Sequence, residues 1–272
     1  MVRRWMSISL MTVVITTTAF AQDARLKRLA TSQQGREWDA VGRLDIDGTG
    51  FCTGALIADN LVLTAAHCLF DKQTGARIDH EGIEFLAGWR NGRASAYRSV
   101  RRAVVHPEYQ PSQVVSSDRV RNDLALLELH RPIRNGSIFP FKTAARPRRG
   151  DNVGVVSYAK DRSEAPSLQE VCKVLGRQEG VLVTSCNVDF GSSGAPIFSF
   201  DSGRAYIVSV VSAKAESNGK PVSLGTSLAE PLAVLQEELA SGRGYGLDPS
   251  PSERRIRVGT VRNSTGAKFI KP

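Results

Sequence analysis

What most limits this chain is the shape of its apolar content, which from Trp38 onward comes in short β-branched and aliphatic runs cut apart by Gly, Asp and Asn. The first set covers residues 41–46, 52–58, 61–64, 83–87, 100–105 and 124–129. A Pro-, Arg- and Gly-rich stretch around 146–150 separates it from a second set at 153–158, 171–175, 181–185, 196–200, 207–213 and 223–227. Runs of this length with such punctuation read as strands, and many of them in series as an all-β sandwich or barrel. Helical spacing enters late, at Leu232, Leu235 and Leu239, with Pro231 in the first turn and Gly242 just past the end, so one helix is expected over 230–240.

The first 21 residues stand apart. Arg3 and Arg4 lead an apolar stretch over 6–20 that ends in Ala19-Phe20-Ala21 and turns polar at Gln22-Asp23. That order is a secretory signal peptide cut after Ala21, which implies a periplasmic or extracellular protein. No other run is long and apolar enough to suggest a transmembrane anchor. Residues 22–37 are polar, with a basic cluster at Arg25, Lys27 and Arg28, and read as a leader or short pro-segment. Export makes the four cysteines legible, because an oxidising compartment lets them pair. Four allow three connectivities, of which the local one joins Cys52 to Cys68 and Cys172 to Cys186. A structural zinc competes weakly, since neither Cys-x-x-Cys nor His-x-x-x-His occurs, and no metal or cofactor is expected.

A net charge of +9 suggests anionic partners until its distribution is read. Residues 245–272 hold +4 of it, in a tail starting near residue 244, and once the signal peptide is set aside the remaining body carries only +3. Nucleic acid is therefore not an expected partner; the tail is a solvated basic segment.

Three motifs carry chemistry. In Leu63-Thr64-Ala65-Ala66-His67-Cys68 a strand ends in small residues and delivers a histidine beside a cysteine. A histidine is a base near neutrality without much tuning, and a Cys68–Cys52 bridge would hold its backbone. In Gly191-Ser192-Ser193-Gly194-Ala195-Pro196 glycines surround a serine so that the chain turns sharply. Serine is a poor nucleophile without a neighbouring base and without N–H groups aimed at the developing oxyanion, which the peptide units of Gly191 and Ser193 can supply. In Asn122-Asp123-Leu124-Ala125-Leu126-Leu127 an aspartate precedes an apolar strand, where burial beside His67 would hold the imidazole in the useful tautomer.

Together with Cys52-Thr53-Gly54-Ala55-Leu56-Ile57 and Val105-His106-Pro107, and in the order His, Asp, Ser, these stretches resemble the bacterial trypsin-like serine proteases over about 38–243. The resemblance implies two packed six-stranded antiparallel β-barrels of the chymotrypsin-like fold, closed by a C-terminal helix. It also implies a secreted endopeptidase acting on protein or peptide substrates, with His67, Asp123 and Ser193 as triad and an acyl-enzyme intermediate. The competing class is a catalytically silent protease-fold binding protein of the cell envelope. Two departures stand out. Ser192 occupies the place where digestive members of the family have an aspartate that pairs with a freed N-terminus, and no Arg-Ile-Val-Gly-Gly type activation site precedes the first strand, so the oxyanion loop is expected to form without N-terminal insertion. Asn187, six positions before Ser193, stands at the expected base of the primary specificity pocket, with Ser209, Val210 and Val211 as its expected wall. A valine in that wall points to small or apolar side chains, with Asp189 close enough to alter the choice.

Overall fold

The computed structural model describes residues 25–112, 114–144 and 147–246. The expected signal peptide and all but the first residues of the basic tail lie outside the described residues. Six strands form the first half: β1 Val41–Ile46, β2 Gly50–Ala58, β3 Leu61–Thr64, β4 Ile83–Ala87, β5 Ala96–Val105 and β6 Ala125–Leu129. They pair antiparallel in the order β1–β2–β3–β6–β5–β4, and β4 returns to β1, so the sheet closes. The second half repeats the plan with β7 Asn152–Ser157, β8 Ser167–Gln178, β9 Val181–Thr184, β10 Pro196–Asp201, β11 Arg204–Ser217 and β12 Lys220–Ser227. Its order β7–β8–β9–β12–β11–β10 closes through β10 on β7. Closure removes exposed sheet edges, which suits a chain whose strands are apolar on the inner face.

The hairpins follow from local sequence. Glu179-Gly180, Ser202-Gly203 and Asn218-Gly219 each hold positive φ at both residues, and each is the whole loop between two strands of the second barrel. Two left-handed residues in a row match the twist of the flanking strands, and the second is glycine because only glycine takes that conformation without steric cost.

One apolar cluster spans both barrels, and a second, from Val153 and Val155 to Ile197 and Val211, lies within the second barrel. Trp38 from the entry segment, Phe141 from the linker and Phe198 of β10 meet edge-on or tilted, with Trp38 and Phe141 centroids 5.1 and 4.8 Å from that of Phe198. The same cluster runs from Leu44 and Leu126 in the first barrel to Val156, Ile207 and Val210 in the second. The helix Ala229–Ala240 buries Leu232 and Leu235 against it, as the leucine spacing predicts. No helix among the described residues is long and apolar enough to cross a membrane.

The segment before Trp38, read from sequence as a leader or pro-segment, is knitted to both barrels. Lys27–Arg28 pairs with Ser167 and Leu168 of β8, and Leu29 is buried. Arg90, whose side chain is only 7% exposed, donates to the carbonyls of Leu29 and Gly35 at 3.0 Å each and to Asp39 Oδ1 at 2.6 Å. A buried cation is tolerated when its partners are this complete, and removing it leaves Asp39 as an uncompensated buried charge. Arg90→Met is therefore expected to cost about 3–5 kcal/mol, read as a lower urea midpoint at unchanged m-value, with Asp39→Asn in the same chain recovering part of the loss. A shift of less than about 1 kcal/mol would mean that the pair is solvated in practice.

Candidate active site

Each candidate side chain is placed by a different element. β3 ends at Thr64, whose hydroxyl donates to the Thr53 carbonyl at 2.9 Å, and Ala65 leads into a single 3-10 turn, Ala66–Leu69, that presents His67. The Cys52–Cys68 disulfide ties this turn to β2, and Cys172–Cys186 forms as well, so the local connectivity is the one present. The two sulfurs nearest His67 are bonded to each other, so neither is a thiolate available to a metal.

Asp123 follows the short helix Ser117–Arg121, which Ser116 caps by accepting from the Arg119 N–H. Thr226 of β12 donates to the Val120 carbonyl at 2.6 Å, with the Asp123 carbonyl 3.2 Å from the same hydroxyl, so the second barrel holds the turn that carries Asp123 in the first. The Asp123 carboxylate is completely buried yet fully engaged. Its Oδ1 accepts the His67 backbone N–H at 2.8 Å, its Oδ2 lies 2.7 Å from His67 Nδ1, and Oδ2 also accepts the Ser212 hydroxyl. Burial pushes the carboxyl's pKa up, but the His67 charge and these hydrogen bonds outweigh it and hold the group below its ordinary value. A depressed folded pKa means that this contribution to stability is complete above the ordinary value near 3.8 and is lost as pH falls through the folded value. Ser212 was not singled out from the sequence; its one signal is that it shares with Ser209 the place of a hydroxyl in a run, 207–213, whose other residues are apolar.

Ser193 sits in a loop bent by two left-handed glycines, Gly191 at φ 94° and Gly194 at φ 78°. Its carbonyl accepts the Thr53 N–H at 2.8 Å, and the Gly194 N–H donates to the Val211 carbonyl at 2.8 Å, so the loop is clamped between β2 and β11. Among the described residues the N–H groups of Gly191 and Ser193 have no protein acceptor. Ser192 lies behind the loop, fully buried, where its hydroxyl donates to the Tyr158 carbonyl at 3.1 Å and accepts the Asp189 N–H at 3.3 Å. Arg162 Nη2 stands 3.4 Å from the same oxygen. A hydroxyl and amide network thus holds the loop at the position where an ion pair would otherwise be needed.

His67 and Ser193 open on one cleft of about 500 Å³. Val188, Asp189 and Phe190 border it on one side and Val211, Ser212, Ala213 and Lys214 on another, with Phe70, Tyr109 and Val115 beyond His67. Of the four residues expected in the specificity pocket, only Val211 lines this cleft. Asn187 gives its N–H to Gln169 Oε1 at 2.7 Å, Ser209 is fully buried and donates to the Thr226 carbonyl at 2.8 Å, and Val210 lies in the shared core. The wall is displaced toward the C-terminal end of the run because β11 bulges between Val211 and Ala213, a register change that residue types alone do not announce. Asp189 is at the cleft, and Lys214 Nζ pairs with its Oδ1 at 2.8 Å.

Two closed barrels of one topology, with the cleft between them, define the chymotrypsin-like fold. Residues 30–232 match the sequence profile of the trypsin family, and the chain belongs to that family. Among curated relatives, the glutamyl endopeptidase of Bacillus licheniformis is 26% identical over 171 residues, which is 62% of this chain and 52% of that protein. The trypsin of Phaedon cochleariae is 36% identical over 94 residues, 34% of this chain and 33% of that protein. The chain thus spans about half or less of the length of these relatives. A solved Glu endopeptidase in complex with MPD superimposes with a TM-score of 0.64 over 81% of this chain and 98% of that one, at 18% identity, a likeness of fold.

Proposed function

We propose that the chain is a secreted serine endopeptidase that works through His67, Asp123 and Ser193. The observation that carries this reading is the buried Asp123 carboxylate holding both the backbone and Nδ1 of His67, with Ser193 on the same cleft. With its proton on Nδ1, His67 offers Nε2 to take the Ser193 proton as that oxygen attacks a peptide carbonyl. The N–H groups of Gly191 and Ser193 receive the oxyanion. His67 returns the proton to the leaving amine, and water then hydrolyses the acyl-enzyme by the same steps in reverse. Tyr109, at the edge of the cleft, does not compete as a base, because burial and then the Asp123 charge push its phenol up to about 12. Secretion is supported by the two disulfides and by the signal-like residues 1–21.

A serine-directed fluorophosphonate tests the reading on purified, disulfide-intact protein. Label is expected on the wild type and absent from Ser193→Ala and His67→Ala variants of equal stability. A wild type that stays unlabelled while folded would make the chain either an uncut zymogen, which removal of residues 22–37 would activate, or a catalytically silent relative.

A further inference from the structure

Lys214 and Asp189 bridge the mouth of the cleft. One comes from β11 and the other from the loop before Ser193, and their side chains are 54% and 48% exposed. The Lys214 ammonium also stands 4.9 Å from the centroid of the Phe190 ring, so an aromatic face steadies it from below. Lys72 approaches the same ring at 5.8 Å. The charged side chains lining the cleft are Lys72, Arg119 and Lys214 against Asp71 and Asp189.

Both carboxylates in that set are already engaged. Asp71 Oδ1 accepts the N–H groups of Gln73 and Thr74 and the Thr74 hydroxyl, all within its own turn. Asp189 Oδ1 accepts the Lys214 ammonium and the Phe190 N–H, each at 2.8 Å. A basic substrate side chain would have to displace Lys214 and would gather further positive charge beside Lys72. An acidic one needs no displacement, since an ammonium has three donors and Asp189 uses one. The wall strand reaches the reacting centre directly: Gly194, next to Ser193, donates to the Val211 carbonyl three residues before Lys214.

We infer that Lys214 is the specificity-determining residue of this site, selecting substrates with an acidic side chain on the acyl side of the scissile bond. This rests on the serine endopeptidase reading. It replaces the expectation of a small or apolar side chain: Val188, Val211 and Ala213 line the pocket beside the stem of such a residue, and Lys214 receives its carboxylate. Asp189 then keeps the ammonium in place when the cleft is empty.

The test is kcat/KM for peptides that differ only in Glu, Gln, Ala or Lys at that position, at low salt, for the wild type, Lys214→Met and Asp189→Asn. Wild type is expected to prefer Glu over its neutral isostere Gln by about tenfold, the effect of one charge-assisted hydrogen bond discounted for a half-exposed ammonium. Lys214→Met should bring that ratio near one, chiefly by slowing Glu, and Asp189→Asn should raise the ratio, because the Lys214 charge is no longer offset by a neighbouring carboxylate. Added salt should lower the wild-type ratio. A wild-type Glu-to-Gln ratio near one, a ratio unchanged in Lys214→Met, or a preference for Lys would each overturn the assignment. Fluorophosphonate labelling of the same preparations keeps the two levels separate: labelled protein without the expected selectivity refutes Lys214, whereas wild type that stays unlabelled both before and after removal of residues 22–37 refutes the peptidase reading itself.

Discussion

Asp123→Asn is expected to lower kcat by about 10⁴-fold at neutral pH with little change in fold. The reason lies in which atoms the carboxylate serves. The His67 backbone N–H is a fixed donor to Oδ1, so the amide of an asparagine must place its carbonyl oxygen there. Its NH2 group then occupies the position of Oδ2, 2.7 Å from His67 Nδ1 and in contact with the Ser212 hydroxyl. An N–H facing Nδ1 makes that nitrogen the acceptor and puts the ring proton on Nε2, where it cannot take a proton from Ser193. The Ser212 hydroxyl can turn to accept from that NH2 group, but its own buried proton then loses the Oδ2 acceptor, so a stability loss of about 1–3 kcal/mol accompanies the loss of rate. Steady-state kinetics on a fluorogenic peptide, alongside thermal unfolding, measures both. Activity within about tenfold of wild type would show that Asp123 does not select the tautomer.

The parts of this protein that were legible in its sequence are those set by local chemistry. The strand at 41–46 and that at 61–64 fall where their β-branched and apolar runs place them, because a short apolar run bounded by turn residues has few other ways to bury itself. The run at 100–105 shows the limit. β5 begins at Ala96, since Tyr97 and Arg98 add exposed or half-exposed positions that no hydrophobic count would include. His67 and Ser193 stood out because small residues and glycines flank them for backbone reasons visible in one dimension, and Asp123 because it stands directly before an apolar strand. The specificity wall did not. Which side chains of 207–214 face the cleft depends on the bulge after Val211 and on pairing with β10 and β12, and a shift of one residue turns every side chain over. The packing of the entry segment was hidden for a related reason. Residues 27–37 are polar, and what holds them is Arg90 far along the chain, a partner that no periodicity reveals.

The same dependence on long-range contact makes Gly194→Ala the most disruptive small substitution expected at the site. Gly194 has φ 78°, and a Cβ there would lie 2.2 Å from Thr64 Oγ1, 2.3 Å from the Thr53 carbonyl and 3.0 Å from the Ala65 nitrogen. Two of those three atoms are backbone of the strands that carry His67 and its disulfide, so no side chain can rotate to make room. The loop must retreat from β2, which breaks the bond from the Thr53 N–H to the Ser193 carbonyl and moves both the nucleophile and its oxyanion donors. Left-handed strain and overpacking together should cost about 3–5 kcal/mol. The fluorophosphonate labelling rate should fall at least about 100-fold, since catalysis tolerates little misplacement of the reacting oxygen. Gly203→Ala supplies the control. Gly203 has nearly the same backbone angle, φ 75°, but nothing lies within 4 Å of its added Cβ, so it carries the strain without the collision. Urea midpoints should place Gly203→Ala about 1 kcal/mol below wild type and fully labelled. If the two variants lost equal stability, backbone conformation alone would account for the glycine, and the close approach between the barrels would not be what holds the nucleophile in place.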